Sequence, residues 1–539
     1  MKQIEKGLAW LHTGLLKYNE RYDWLLLLMA ASIPLSRAMV SITLGLLFAN
    51  FVISKGVLAR LRQAFNTRGL LVFLSIFLIF LVGFLYTNHL ANGLNRLVRA
   101  LPLLVIPIVV SGSQILSIRK FRRVLHVFVL AVVVNAIFAW VFYLENYKQH
   151  NFDIRQISIF FSHIRLALMV LFAISISAYE VWKESGRCRF VWGAICLFLF
   201  SSLILLQSLT GLVIAFVLVT ACGVVLTLRV REQVPKFIAL VASVTIFLVA
   251  ASFFSHSLMR FHTTHPVDLT QIDSLTVNGN PYIHDTANLI RENGYYVGLY
   301  VAPGELKKEW NRRSKLDYTG KDRAGQELSE TLKRFLTARA LRKDSAGMMA
   351  LSAKDVSLIE SGVANPVFVE ENFLYARIYQ TLWELELYNQ TGYVENHSVA
   401  QRIEYFLSGW HVVESHPWFG VGTGDVMAAQ KEAFQERGVQ LAPEHQRKSH
   451  NQWITLAMAF GIVGLMVFLV GIVVPIVKNK TYRNFLFNIF MGIILLSFFS
   501  DDTIDTHMGI NFFCFFYVLF VFSGVSGKEI ELTDREKLG

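Results

Sequence analysis

The pattern that most constrains this chain is a series of about twelve apolar runs, at roughly 22–36, 38–54, 69–87, 98–113, 121–144, 163–182, 190–207, 210–228, 236–255, 458–477, 484–500 and 508–525. A helix needs about 20 apolar residues to cross a hydrocarbon core of about 30 Å, and most of these runs approach that length. A bilayer core offers no water to stray backbone groups, so a chain with this many runs is expected to fold as a bundle of membrane helices. Composition agrees, because 54% of the 539 residues are hydrophobic and 43 are Phe, which is far from an ordinary soluble domain. The expected fold is therefore an α-helical polytopic membrane protein. The first two runs are separated only by residues 34–37 and read as a helical hairpin or a broken pair. The N-terminus lacks a short apolar core with a small-residue cleavage site, so the first run is expected to be retained.

The formal net charge of +12 could point to a nucleic-acid partner. However, the Lys and Arg residues sit mostly in short clusters between apolar runs, where they report topology and exclude that reading. The clusters lie within 2–21, 55–68, 119–123, 183–189, 229–236, 478–483 and 528–537, and all fall on one side of the alternation. By the positive-inside rule that side is cytoplasmic, which places both termini inside and the long polar segment 257–449 outside, facing the periplasm of a double-membrane bacterium. The expected division is an N-terminal bundle of about nine spans (1–256), one large, mostly helical periplasmic domain (257–449), about three C-terminal spans (450–526) and a cytoplasmic tail (527–539). Cys188, Cys196, Cys222 and Cys514 lie in or beside apolar runs and suggest neither a disulfide framework nor a zinc site.

Within the polar segment, residues 267–303 carry turn and short-strand signals such as NGNPY and GYYVGLYV. Residues 326–383 favour helices, with a break around 362–366. A further helix fits 398–413, with Ile403, Phe406, Leu407, Trp410 and Val413 on one face and Arg402 in its first turn. The glycines of GVGTGD then predict a loop, and 428–437 another helix.

The stretch 449–464, SHNQWITLAMAFGIVG, stands where this polar segment meets the membrane. A helix from Asn451 onward would carry His450, Ile454, Ala457, Gly461 and Gly464 on one face, a reactive imidazole above a small-residue seam suited to close helix packing. An imidazole titrates near neutral pH and can accept a proton from a hydroxyl. The alternative is a structural histidine at a helix end.

The spacing His450, Asn451, nine residues, Gly461, two residues, Gly464 resembles the signature of the O-antigen ligase family. Arg402, Trp410 and the segment 416–425 (HPWFGVGTGD) resemble that family's second block. The resemblance implies a metal-independent membrane glycosyltransferase without a cofactor. It would move a preassembled glycan from undecaprenyl diphosphate to an acceptor hydroxyl such as one on the lipid A core, with His450 as the base. Arg402 suits a diphosphate, since a guanidinium offers a fixed fork of donors and stays charged. Its alternative is an ion pair with Glu404 or Glu395.

Arg165 opens a span on the expected outer side and is the second diphosphate candidate, against the reading of a snorkelling anchor. Arg96 and Arg99, expected in a loop before the fourth span, are weaker versions of the same idea. Asn451 would orient His450. Asp425 would partner an imidazole or a sugar hydroxyl, or cap its own turn. Gly461 and Gly464 would serve helix packing. The family's arginine after a serine is replaced here by Leu209, so another outer arginine has to supply that charge or the donor is held differently. Asp501, Asp502, Thr503, Asp505 and His507 form the only acidic cluster between spans, and a polar lid or acceptor contact is expected there ahead of a metal site. A polysaccharide polymerase or a protein O-oligosaccharyltransferase would use the same donor, and these acceptors stay open. A transporter would show charges buried mid-span and repeated halves, whereas this sequence has few such charges and no matching halves.

Overall fold

The computed structural model describes residues 2–147, 154–229, 233–287 and 290–525. The expected tail 527–539, and Arg231 among the loop cations, lie outside the described residues. The described chain is mainly helical, and each of the twelve apolar runs falls on a helix. By length and composition, six helices among the described residues could cross a membrane, or seven if Arg37–Ile53 and Val57–Phe65, which meet at 111°, count as one broken span. Leu70–Leu85, Phe485–Ser497 and His507–Phe522 are apolar but shorter, whereas Leu209–Arg229 runs for 21 residues. In the first three the helix is shorter than the apolar run because capping residues and turns trim the ends. Asn484, for example, accepts from Phe487 N and starts Phe485–Ser497.

The first two runs form separate helices, Lys2–Leu35 and Arg37–Ile53. Ser36 divides them: its backbone is extended and its hydroxyl accepts from Met39 N, capping the second helix. Arg96 and Arg99 were expected in a loop, but they lie on the amphipathic helix Leu90–Ala100, which leads through Leu101 into Pro102–Ser111. Its apolar side is confined to one stripe, so the sequence looks polar overall and its helicity is easily missed.

The described residues separate into two compact units. One is built from Met1–Asn146, Ile154–Ala221 and the chain from Arg402 onward. Residues 402–449, expected in the polar domain, therefore group with the apolar helices. At the centre of this unit runs His507–Phe522, whose residues 508–522 are all buried. A helix that is apolar all round has to be enclosed on every side. Its phenylalanines interlock with those of neighbouring helices: Phe516 meets Phe128 edge-on at 4.7 Å and Phe172 at 5.0 Å, and Phe512 meets Phe490 at 5.5 Å.

The second unit contains residues 222–401. Its strand signals become a two-residue hairpin, Arg291–Glu292 with Tyr295–Tyr296, turned by Asn293 and Gly294 at positive φ. Its helices include Pro303–Arg313, Leu328–Ala338, Ala353–Glu360 and Phe373–Thr391, with the expected break falling between the last two. Trp310, Leu332, Phe335 and Met348 form one core, and Tyr375, Tyr379 and Trp383 another.

Candidate functional site

The site is built around the start of helix Gln452–Lys478. Asn451 caps it, its side-chain oxygen accepting from Trp453 N at 3.0 Å and Ile454 N at 3.2 Å, while its amide reaches Phe499 O at 3.4 Å. His450 precedes the cap with a left-handed backbone (φ 50°), so its ring leaves the helix axis and lies beside Tyr405, centroids 5.6 Å apart. Below it, Ser449 and Thr455 share a hydrogen bond of 2.8 Å, and Thr455 donates to Asp502 at 2.5 Å. Gln452 joins both sides of the acidic hairpin, its N–H donating to Phe498 O and its side-chain oxygen accepting from Ile504 N. The hairpin 498–506 is thereby fastened to the helix that carries His450.

That hairpin is not a surface lid. Asp501, Asp502 and Asp505 are all buried, and the arginines converge on Asp501 and Asp505. Arg165 places NH2 3.1 Å from Asp501 Oδ2 and donates Nε to Thr506 at 2.9 Å. His450 Nδ1 lies 3.9 Å from Asp501 Oδ1, beyond hydrogen-bond distance but well inside electrostatic reach. Arg402, exposed on helix Ser398–Ser415, also acts on Asp501. Burial pushes the Asp501 carboxyl up, but His450, Arg165 and Arg402 together outweigh it and hold the group below the usual range. Asp501 is thus a carboxylate among three cationic or protonatable groups, from residues 165, 402 and 450.

Asp505 gathers a second set. Arg96 Nε lies 2.6 Å from its Oδ1, Lys448 pairs with its other oxygen, and Arg99 donates to its backbone carbonyl at 3.2 Å. Despite burial, which raises it, Arg96 and Lys448 hold this carboxyl far below its usual range. Asp502 goes the other way, pushed up by burial and by the neighbouring charge of Asp505. Arg96 is itself buried, lies over the rings of Phe80 and Phe460, and donates to Thr423 O at 3.2 Å. It acts as a strut between the hairpin and the 416–425 loop, set back from solvent. Arg99, partly exposed, stands closer to the surface.

The loop 416–425 and helix Gln452–Lys478 interlock, which corrects the expectation of one continuous face from His450 to Gly464. The helix breaks at Gly461, whose backbone (φ 63°, ψ −168°) is open essentially to glycine alone. The loop enters the break and takes over the freed backbone groups. Val421 N donates to Met458 O, Gly422 N to Ala459 O and Ile462 N to Pro417 O, at 2.8–2.9 Å. A Cβ at Gly461 would stand 2.2 Å from Trp418 C and O, and one at Gly420 would stand 2.4 Å from Met458 O. The two sequence blocks are therefore one structural piece, and Gly461 serves a backbone-to-backbone contact with the loop. Gly464 remains within the helix, against the Phe460 side chain.

Asp425 partners an imidazole, but that of His89 at 2.7 Å. It also accepts from the backbone N–H groups of Asn88 at 2.7 Å and His89 at 2.8 Å, and so secures the start of Leu90–Ala100. Burial raises its carboxyl, yet these backbone hydrogen bonds prevail and hold it below the usual range. His450, Asn451, Arg402 and Arg165 thus come together, while Asp425, Arg96 and the two glycines shape the frame. The residues that sequence reasoning did not place are Asp501, Asp505, Lys448 and Tyr405. A signal for the first two existed, because buried arginines require counter-ions and the hairpin was the only acidic cluster between runs.

Fold and site together define a multi-pass helical membrane protein whose charged centre is assembled from chain segments far apart in sequence. Residues 358–469 match the O-antigen ligase family, which supports assigning the chain to that family and implies a membrane glycosyltransferase-like enzyme. The matched segment contains Arg402, Asp425, His450, Asn451, Gly461 and Gly464, whereas Arg165 and the acidic hairpin lie outside it. No curated protein matches the chain.

Proposed function

We propose that this protein transfers a preassembled glycan from undecaprenyl diphosphate to an acceptor hydroxyl, with the lipid A core as acceptor, at the periplasmic face of the bacterial inner membrane. The observation that carries the reading is the convergence of His450, Arg165 and Arg402 on Asp501. Donor and acceptor are both amphiphiles with reacting groups near the headgroups, and a base and cations fixed at the end of the helical bundle suit such a pair. The basic loops support the orientation.

In this mechanism Arg402 and Arg165 bind the diphosphate and neutralise the charge that develops on it as the glycosidic oxygen leaves. His450 takes the acceptor's proton as the hydroxyl attacks the anomeric carbon. Nδ1 faces Asp501, which leaves Nε2 for the acceptor and gives the imidazolium a nearby anion as it forms. Arg165 is shared between Asp501 and the donor, so diphosphate binding loosens one pairing as it makes another. The chemistry calls for neither nucleotide nor metal.

The test is reconstitution with carrier-linked glycan and purified lipid A core, followed by detection of the joined product. Product that forms from two carrier-linked molecules without core identifies a polymerase instead. Loss of transfer in His450→Ala with normal insertion supports the enzyme, and full transfer in that variant refutes it.

A further inference from the structure

Beside this centre lies an open pocket of about 600 Å³ lined by Ser36, Arg37, Ala38, Ser158, Ile159, Phe160 and Phe161. Its polar wall is the turn that starts helix Arg37–Ile53, and its apolar wall is the segment just ahead of the helix carrying Arg165. Arg37 is exposed, and among the described residues no carboxylate pairs with its guanidinium. The pocket is tied to the proposed diphosphate site through two contacts. Ser41, one turn along from Arg37, meets His507 Nε2 at 2.9 Å, and the adjacent Thr506 receives Arg165 Nε. Arg37 and Arg99 both lie close enough to His507 to act on its charge.

An uncompensated guanidinium at a helix start draws an anion, and the field of the helix N-terminus adds to that pull. Ile159, 53% exposed beside it, draws hydrocarbon. We propose that this pocket binds a phosphate group of a lipid-linked substrate, with Arg37 holding the phosphate and residues 159–161 receiving the start of the lipid chain. The inference rests on the reading above that the substrates are lipid-linked. It adds a second phosphate subsite, separate from the one at Arg165 and Arg402. The phosphate comes either from the polyprenyl carrier or from the lipid A acceptor.

The full-length protein in nanodiscs is titrated with a polyprenyl monophosphate, with phosphorylated lipid A, and with the dephosphorylated form of each. Arg37→Ala removes the charge, and Ala38→Trp fills the pocket while keeping it. Both variants are expected to bind one phosphorylated lipid about ten-fold or more weakly, with the dephosphorylated lipids unaffected and Arg37→Lys recovering part of the loss. Whichever lipid loses affinity identifies the source. Unchanged binding of both phosphorylated lipids in both variants, or an equal loss for the dephosphorylated forms, overturns the proposal. Binding is read without any transfer step, so a chain that transfers no glycan can still pass or fail this test.

Discussion

Replacing Asp501 by Asn asks whether the buried carboxylate drives the site or merely fills it. His450 Nδ1 stands 3.9 Å from its Oδ1. A pair of unit charges at that distance attracts by about 4 kcal/mol at an effective dielectric near 20 and by about 1 kcal/mol in bulk water. Since His450 is 31% exposed and Asp501 only 6%, the working value falls between those limits. This is the stabilisation withdrawn from the imidazolium that forms when the acceptor's proton moves, so kcat is expected to fall between about five-fold and a thousand-fold. Arg165 meanwhile loses its partner at 3.1 Å and becomes fully available to the donor diphosphate, so KM for carrier-linked glycan should hold or fall. The assay is steady-state transfer in nanodiscs with the donor varied, alongside a melting curve to establish that the variant is folded. A folded Asp501→Asn enzyme with unchanged kcat would refute the reasoning. A raised KM alone would show that Asp501 serves to hold Arg165 for the donor.

Gly461→Ala is expected to destabilise the protein by about 3–6 kcal/mol, from a strained backbone plus loss of loop-to-helix hydrogen bonds, and to lower its melting temperature and activity together. Gly464→Ala should also be destabilising in the same melts, because its Cβ would stand 2.2 Å from the Phe460 Cβ, an atom that cannot swing away. Asp505→Ala leaves Arg96 and Lys448 without their anion, and a drop of about 3–5 kcal/mol in thermal stability is expected. The Asp505 carboxyl is depressed in the folded state, so its contribution is fully present above the unfolded value of about 4 and is lost as pH falls through the folded value. The stability gap between wild type and Asp505→Asn, followed by melting from pH 7 to pH 3, should therefore be constant above about pH 5 and narrow progressively below it. Asp425→Asn should weaken the hold on Asn88 and His89 by about 1–3 kcal/mol while sparing kcat far more than His450→Ala does, as paired melting and transfer measurements would show.

Much of this protein is readable from its residues alone. Each apolar run falls on a helix, because burying a helix in lipid or in other helices demands an apolar stretch, while six or seven of the described helices are long enough to cross a membrane. Helices Ser398–Ser415 and Val426–Glu436 follow from local periodicity and from the glycines between them. Arg165 stands out as a charge beside an apolar run, where it is costly, whereas His450 and Arg402 stand out through the two blocks that resemble the O-antigen ligase family.

Tertiary structure decided the rest. Asp501 and Arg165 are separated by 336 positions, and Asp505 and Arg96 by 409, so no local pattern could show that the acidic hairpin is the counter-ion of the arginines and not a lid. The break at Gly461 is invisible for the same reason. Within its own helix that glycine looks like one more small residue, and only the arrival of Trp418 from a distant turn requires it. Which residues are apolar, charged or helix-forming is written along the chain, whereas which charge finds which partner depends on distances that exist only after the helices have packed.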